Sequence, residues 1–362
     1  LSAGLRWTDE QKKWQGRSQM FIQALGGGFN PALTINTLGE PLAANDFVRF
    51  PNGVSPVGRK DASEPTWRLT GSFKFRDDIY GYGTISRGFK SGGFNDQTGT
   101  SGNAIATTGP AAFGAYGPEF ATSYELGLKT ELFDRRLRLN TAVFYVEYED
   151  AQRALVSTIT NSAGATFQET RFFNAADVEV KGIEVEATAA LTDNWSINVA
   201  LGYQDGKYKK FEADSNGDGR ITNGGPNPMG GTFPVEVFTN QPLARTPELQ
   251  YAINLNYDWS FANGASLRWN ALLHHEDESL FILSDLGSRF NGVLDAKDLL
   301  STSLTYTSPS GQWWVRAYGK NLTDERYRIA VQPVANLWTH AQYGEPRSYG
   351  VDFGMRFGAN RP

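Results

Sequence analysis

Hydrophobic and polar side chains alternate along much of this chain, most regularly over residues 249–261. Every odd-numbered position in that stretch is large and apolar, whereas the even-numbered positions are polar or small. Successive side chains of a strand point to opposite faces, so the stretch predicts a strand with one apolar and one polar face. At about 13 residues it exceeds the mean soluble strand of about 5–6 residues, and a tilted strand of about 10 residues already crosses a bilayer.

The same alternation recurs along the whole sequence, and it is regular over residues 195–204 and 348–357. Apolar positions at period 2 predict about 13 strands. Between Val180 and Ile183 the apolar positions change phase, and Gly182 between them predicts a β-bulge. The approximate strand spans are 1–8, 13–22, 64–76, 80–90, 119–133, 136–152, 171–191, 195–208, 246–261, 265–278, 294–307, 312–328 and 348–357.

The connections between these strands are of two kinds, which alternate along the chain. Short connections such as 77–78 and 262–264 carry turn residues. Short turns at one end and long loops at the other are typical of an all-β, antiparallel up-and-down transmembrane β-barrel. A large soluble β-sandwich is the alternative, but its Greek-key crossings would break this asymmetry. The long connections lie near 23–63, 91–118, 153–170, 209–245, 279–293 and 329–347.

Composition excludes several classes of function and is compatible with the predicted fold. The chain has 362 residues and a net charge of −5, with the charges scattered, so no basic surface for nucleic acid is predicted. It has no cysteine and three histidines, and it carries no Gly-rich phosphate loop, nucleophile elbow or zinc-protease pattern. No run approaches 18 apolar residues, so a helical membrane span is not predicted. We therefore do not expect an enzyme.

Six segments, in order along the chain, resemble the β-barrel of TonB-dependent receptors. They are AGLRWTDE at 3–10, SRGFKSGGFN at 86–95, PEFATSYELGLKTEL at 118–132, KGIEVEATAAL at 181–191, GKNLTDERY at 319–327 and YGVDFGMRF at 349–357. The resemblance implies a barrel of roughly 22 strands that encloses an N-terminal plug, in the outer membrane of a Gram-negative bacterium.

The sequence departs from that family pattern in two ways. It contains neither a plug nor a TonB box, and about 13 strands cannot close a barrel of roughly 22. Residues 1–357 are therefore expected to form the C-terminal portion of the barrel, with 358–362 a short tail behind the terminal aromatic Phe357. The strand-like start at Leu1, the lack of a signal peptide and the odd strand count, which leaves an odd number missing, favour a fragment of a longer protein.

The resemblance implies a receptor that imports a scarce ligand, most often a ferric siderophore or a similar chelate, with energy from the TonB complex. Its expected partners are outer-membrane lipid, the small-molecule ligand, and the TonB complex reached through the plug. Two alternatives stay open. One is a passive or structural outer-membrane barrel without TonB coupling, and the other is a soluble calcium-binding β module.

The second alternative rests on residues 214–222, DSNGDGRIT, which resemble the first part of a calcium-binding loop. Asp214, Asn216 and Asp218 would supply side-chain oxygens, and Arg220 would supply its backbone carbonyl. The bidentate glutamate that usually completes such a loop is missing, because its position is a glycine. We therefore expect no required cofactor, and two interpretations of the loop stay open: a calcium site and a polar surface turn.

Two further sets of residues are candidates for binding. His274 and His275 open the acidic run HHEDE, but adjacent strand residues point to opposite faces, so the pair does not predict a shared metal. Aromatic residues of the long loops could contact a ligand or pack the loops against one another. They are Phe21, Phe29, Phe47, Phe50, Phe113, Tyr116, Phe233, Phe238, Trp338 and Tyr343.

Overall fold

A computed structural model describes residues 1–14, 58–94, 115–160, 166–213, 220–227, 235–283, 291–334 and 338–357. The regular elements of these residues are strands, and no helix among them is long and apolar enough to span a bilayer. The strands are β1 Ser2–Trp14, β2 Gly58–Arg76, β3 Ile79–Lys90, β4 Gly93–Phe94, β5 Ala115–Tyr116, β6 Glu119–Leu132, β7 Leu137–Thr160, β8 Thr166–Ala190, β9 Trp195–Phe211, β10 Leu249–Ser260, β11 Ser266–Glu276, β12 Ser279–Leu280, β13 Val293–Leu294, β14 Lys297–Thr307, β15 Trp313–Lys320, β16 Arg328–Val334, β17 Trp338–Tyr343 and β18 Ser348–Met355.

Twelve strands form one antiparallel sheet in the order β1-β2-β3-β6-β7-β8-β9-β10-β11-β14-β15-β18. Each strand pairs with the next long strand of the chain, so the sheet is an up-and-down meander, as the sequence predicts. The remaining strands form three small hairpins, β4-β5, β12-β13 and β16-β17, within the long connections. β1 and β18 are the two edges of the sheet, so the described residues do not close a barrel.

Short turns and long loops lie at opposite ends of this sheet, which confirms the predicted layout. The turn between β6 and β7 places Phe133, Asp134 and Arg135 at positive φ, and the turn between β10 and β11 places Gly264 at φ 86°. Glycine adopts this backbone conformation without the steric cost that a side chain adds. We refer to the two ends of the sheet as the short-turn end and the long-loop end.

The strand count differs from the prediction at the N-terminus. Where the structure describes them, the predicted strands 1–8 and 13–22 are not separate, because β1 runs through Ser2–Trp14. Its register with β2 is unbroken from Ser2 opposite Thr70 to Trp14 opposite Gly58. Residues 15–22 lie outside the described residues. The polar residues 9–12, which separate the two predicted strands, are part of the continuous strand β1. The sheet formed by the described residues therefore has 12 strands rather than 13, and β1 runs toward the long-loop end. The argument from an odd strand count is wrong for this sheet.

The predicted loop at 153–170 is also wrong, because β7 continues to Thr160 and β8 begins at Thr166. These strands have 24 and 25 residues, about twice the length that a bilayer requires. Outside the apolar part of the sheet neither face of a strand has to be apolar. The alternation of apolar and polar residues therefore ends before the strands do.

The predicted bulge at Gly182 is not present, since the register of β8 with both neighbours is continuous from Val178 to Ala189. The register shifts lie instead around Ala151 and between Asp177 and Val178. Val180 and Ile183 simply occupy opposite faces. A Cβ added to Gly182 would lie 2.3 Å from the Tyr203 carbonyl oxygen and 2.6 Å from the Phe144 ring, so this position excludes any larger residue.

An apolar cluster covers the polar face of β7, β8 and β9 near the long-loop end, which explains why Val178 and Val180 are apolar there. Its fully buried centre is formed by Tyr208 and Phe211 of β9, each at most 1% exposed. Residues from the connection between β9 and β10 pack on it. The cluster consists of Ala151, Ala176, Val178, Tyr208, Phe211, Ala213, Phe238, Leu243 and Leu283.

Candidate functional site

The two faces of the sheet differ in chemistry. We define the outer face as the one that carries Leu255 and its cross-strand neighbours Ile197 and Ala271. Large apolar side chains on this face are exposed, including Leu126 at 65%, Val351 at 72% and Phe353 at 64%. A continuous exposed apolar surface of this kind indicates contact with lipid or with another apolar surface.

Aromatic rings border the apolar band of the outer face. At the short-turn end the Trp195 and Tyr257 rings lie 4.5 Å apart, and the Tyr257 and Trp259 rings 4.1 Å apart. Toward the long-loop end Tyr124 and Tyr145 lie 6.2 Å apart. Eight residues separate Trp195 from Tyr203, or about 27 Å along a strand, which at a tilt of about 40° gives a band roughly 20 Å high. Outer-membrane barrels have this arrangement of aromatic girdles around an apolar band.

The opposite, inner face is polar and its side chains bond to one another. The Asn270 side-chain amide donates to the side-chain oxygens of Asn254 at 2.7 Å and of Asn256 at 2.9 Å. Nearer β3, the Tyr82 hydroxyl donates to the Glu125 carboxylate at 2.6 Å. Such a face is suited to a water-filled or protein-filled lumen.

An acidic cleft of about 280 Å³ lies on the inner face between β8 and β11. Glu184 and Glu186 of β8 contribute two carboxylates, and His274 of β11 borders the opposite side. Neither glutamate forms an ion pair with any of the described residues. The negative charge of the cleft favours cationic groups over anionic ones.

Side-chain amides tie the two ends of the connection between β3 and β6 to the rim of the sheet. The Gln152 amide donates to the carbonyl oxygens of Ser91 at 3.0 Å and Gly117 at 2.9 Å. Asn174, which is opposite Gln152 on β8, donates to the Gly117 carbonyl at 3.1 Å. The Gln152 backbone N–H donates to the Glu119 carboxylate at 2.6 Å. Because Gln152 is only 5% exposed, these contacts hold the loop base at a fixed position.

A second anchor lies in the connections at the same end of the sheet. Arg328 donates to both oxygens of Asp295, from Nε at 2.9 Å and from Nη2 at 2.7 Å, and its backbone N–H donates at 3.2 Å. The hydrogen bonds from Arg328 lower the pKa of the Asp295 carboxyl below its ordinary value. This pair fixes the β16-β17 hairpin to the residues that precede β14.

The predicted calcium loop is only partly described. Asp214, Asn216 and Asp218 lie outside the described residues, and Arg220 is described and exposed. Among the described residues no group of three or more acidic or histidine side chains is arranged to hold a metal ion.

A carboxylate that the sequence did not single out lies just beyond this loop. Glu236 is completely buried, and its carboxylate accepts the Thr222 backbone N–H at 2.9 Å and the Thr222 hydroxyl at 3.1 Å. The Glu236 N–H in turn donates to the Thr222 carbonyl at 2.9 Å. The sequence does not predict the contact of Glu236 with Thr222, because the two residues are 14 positions apart and belong to no recognisable motif.

The structure separates the two adjacent histidines, as the strand pattern predicts. His274 lies on the inner face, 3.7 Å from the Glu276 carboxylate. His275 lies on the outer face between Asp298 at 2.8 Å and Asp277 at 3.1 Å, and its ring stacks on Tyr251. The two rings therefore cannot share one metal ion.

The structure describes the side chains of three of the ten aromatic ligand candidates. Phe238 is 2% exposed and belongs to the apolar cluster, so it packs the loop rather than facing a ligand. Tyr116 stacks on Phe172 with ring centres 5.4 Å apart, and Tyr343 is 49% exposed beneath the Arg326 guanidinium. The other candidates, Phe21, Phe29, Phe47, Phe50, Phe113 and Phe233, and the side chain of Trp338, lie outside the described residues.

A family model described as TonB-dependent receptor-like β-barrel matches residues 1–322 of this chain. The chain therefore belongs to the TonB-dependent receptor β-barrel family, as its sequence motifs predict. The members of this family are transport receptors of Gram-negative outer membranes rather than enzymes.

Solved structures of such receptors share the fold. FyuA, the ferric yersiniabactin uptake receptor of Yersinia pestis, is 17% identical with a TM-score of 0.61, over 84% of this chain and 39% of that one. Fiu, the ferric-catecholate import receptor of E. coli K12, is 16% identical with a TM-score of 0.61, over 98% of this chain and 42% of that one. The copper transporter OprC is 15% identical with a TM-score of 0.57, over 83% and 40%. The chain thus spans about two-fifths of the length of these relatives.

Proposed function

We propose that this chain is the C-terminal barrel portion of an outer-membrane receptor that imports a ferric siderophore or a similar metal chelate. In this proposal residues 1–357 form barrel wall and surface loops, and 358–362 form a short tail. A plug domain carries energy from the TonB complex to the ligand. The observation that carries the proposal is the family match over residues 1–322, on a sheet whose outer face has a lipid-compatible apolar band and whose inner face is polar.

Two observations, one on the described residues and one on the relatives, support a binding role over a purely structural one. The loop bases at the long-loop end are held by buried amides and by the Arg328–Asp295 pair, which positions these loops for recognition. The relatives include receptors for ferric yersiniabactin and ferric catecholates.

The proposal is tested in a strain that carries the full-length gene and in a deletion strain, both starved of iron. Uptake of radiolabelled ferric chelates should require the gene and should stop when TonB is deleted or the proton gradient is dissipated. The passive-barrel alternative predicts uptake that continues without TonB. Uptake that is the same with and without the gene, for every chelate tested, would contradict the transport proposal.

We also propose that the 214–222 loop binds calcium through Asp214, Asn216, Asp218 and the carbonyl of Arg220. The described residue that favours this is Glu236, a completely buried carboxylate held at Thr222. In this proposal Glu236 takes the place of the missing loop glutamate, since calcium takes six to eight oxygen ligands. With few charged ligands, the affinity is expected near that of weak extracellular sites, about 10⁻⁴–10⁻³ M.

Calcium titration of the full-length receptor in detergent, followed by limited proteolysis, tests this proposal. Calcium at millimolar levels should slow cleavage near Gly217, and magnesium at the same concentration should have less effect. Asp218→Ala should abolish the protection, whereas Asp193→Ala, in an exposed turn at the opposite end, should leave it intact. If the parent protein is cleaved equally with and without calcium, the segment is a polar turn.

A further inference from the structure

Two lysines lie directly opposite each other on the inner face near the long-loop end. Lys12 of β1 and Lys60 of β2 are register partners. Thr70 of β2 bonds to Thr84 on the inner face, and the register from Ser2–Thr70 to Lys12–Lys60 is unbroken. The two pairs are an even number of residues apart, so both lysines also lie on the inner face. Residues that are directly opposite across an antiparallel pair have Cβ atoms about 4.5–5.5 Å apart. Like charges at this spacing destabilise a sheet unless something compensates them.

The two ammonium groups differ in their partners. Lys12 Nζ donates to the Ser91 hydroxyl at 2.5 Å and to the Gly92 carbonyl at 2.9 Å, and it contacts the Glu10 carboxylate at 3.4 Å. Lys60 forms no hydrogen bond or ion pair with any of the described residues. Partial burial lowers the pKa of the Lys60 ammonium, and no neighbouring carboxylate offsets that effect. Glu10 compensates one of the two charges, so one positive charge is left over.

Both side chains converge on the same short segment. A Cβ added to Gly92 would lie 2.7 Å from Lys60 Cε and 2.1 Å from the Tyr116 carbonyl oxygen, so Lys60 packs closely against this glycine. Lys90, at the end of β3, is a third lysine on the inner face and is exposed. Its partner across the sheet, Glu119, is engaged by Gln152 and Arg153. The three lysines thus lie close to Gly92, at the base of the connection between β3 and β6 that Gln152 holds in place.

We propose that Lys60, with Lys12 beside it and Lys90 nearby, forms a subsite for an anionic oxygen group of the ligand, such as a carboxylate, catecholate or phosphate. The subsite rests on the proposed function and narrows it to ligands with an anionic group. An anion between the lysines would offset the repulsion within the pair and the desolvation of Lys60. The inner-face position separates this subsite from the phosphates of membrane lipid, which contact the outer face.

Site-resolved chemical labelling of the full-length receptor in detergent tests the subsite without requiring transport. An amine-reactive acylating reagent is applied in chloride, in inorganic phosphate at equal ionic strength, and with ferric dihydroxybenzoate, and modification is measured by peptide mass spectrometry. We expect the anions to slow acylation of Lys60 about fivefold or more. Lys13, which is exposed on the outer face beside Lys12, is the matched control and should react at the same rate throughout.

Each outcome decides the proposal. Protection of Lys60 by both anions supports a general anion subsite, and protection by one alone supports the subsite and names the group it accepts. In binding titrations Lys60→Gln should weaken the affinity for the protecting anion roughly tenfold, and Lys60→Arg should retain most of it. If neither anion slows the acylation of Lys60 relative to chloride, or if Lys13 is slowed by the same factor, the subsite is overturned. That result would leave the proposed function standing if TonB-dependent uptake is observed.

Discussion

Glycines of the inner face make room for aromatic rings on neighbouring strands. A Cβ added to Gly127 would lie 2.3 Å from the Tyr82 ring, and one added to Gly350 would lie 2.4 Å from the Tyr318 ring. These rings therefore lie against bare backbone and cover it from the lumen. The aromatic and glycine pairs are Tyr82 with Gly127, Phe144 with Gly182, Trp314 with Gly354 and Tyr318 with Gly350.

Gly127→Ala should destabilise the barrel, because the added methyl displaces the Tyr82 ring and disturbs its hydrogen bond to Glu125. We expect a loss of about 1–3 kcal/mol in the free energy of unfolding, measured by urea denaturation in detergent. Gly88→Ala is the matched control, since it lies on the same face and nothing is within 4 Å of its added Cβ. Equal losses for the two variants would contradict the packing argument.

Charge placed on the outer face should be far more costly than charge on the inner face. Leu255→Arg near the middle of the apolar band should lower the free energy of unfolding in lipid by about 2–4 kcal/mol. Asn254→Arg faces the polar side and should cost about 1 kcal/mol, mainly through its bonds to Asn256 and Asn270. If the order of the two effects is reversed, the assignment of the faces is wrong.

At this scale the sequence predicts which face a residue occupies but not its distant partners. Period-2 alternation correctly separates His274 from His275 and Asn254 from Leu255. It gives no signal for Gln152, which is bound to a carbonyl 35 residues away in the sequence. Such contacts depend on which strands become neighbours and on where the register shifts.

At the scale of elements, the length of a strand is set by more than the bilayer. β7 and β8 continue well past the aromatic residues Tyr145 and Tyr203, and there the outer face carries ion pairs such as Lys207 with Glu179 at 3.0 Å. An apolar alternation predicts the part of a strand that contacts lipid. It cannot predict the polar extension, which is the reason that β1 and the β7-β8 pair were both mispredicted.

The contact of the β16-β17 hairpin with the residues that precede β14 should weaken in acid. The pKa of Asp295 is lowered in the folded state by hydrogen bonds from Arg328. The stabilisation is therefore fully present above the unfolded-state pKa near 3.8, and it is lost as the pH falls through the lower folded-state value. Because Asp295 is 42% exposed, the contribution is about 1 kcal/mol after allowance for solvent screening.

Hydrogen exchange of residues 328–343, followed from neutral pH to below the Asp295 pKa, measures this effect. After correction for intrinsic exchange, protection should fall in the acid range for the parent protein. Asp295→Asn should show reduced protection already at neutral pH and little further change. Asp324→Asn removes an exposed pair with Arg347 and should leave the profile close to that of the parent.

At the scale of the whole molecule, the two edges of the sheet are its most consequential feature. β1 has 13 residues and β18 has 8, and within the part of the chain that the structure describes each pairs on one side only. Pattern and motif predict the meander, its two ends and its two faces, because all three depend on local alternation and turns. They predict neither the closure of the barrel nor the ligand, which depend on other strands and on loop conformations that have no local pattern.

The polypeptide of residues 1–362 expressed alone should fail to insert stably into membranes. Unpaired backbone groups along β1 and β18 would face hydrocarbon, and each unsatisfied group costs several kcal/mol there. Outer-membrane fractions should therefore lack a urea-resistant form whose mobility on a gel shifts on heating, and the polypeptide should collect as aggregate. Under the proposal that these residues are the C-terminal portion of a larger barrel, the longer gene product should give that form, since its additional strands would pair with both edges. A heat-shifting, detergent-soluble monomer made of these residues alone would show that β1 and β18 pair with each other, and would refute the open sheet.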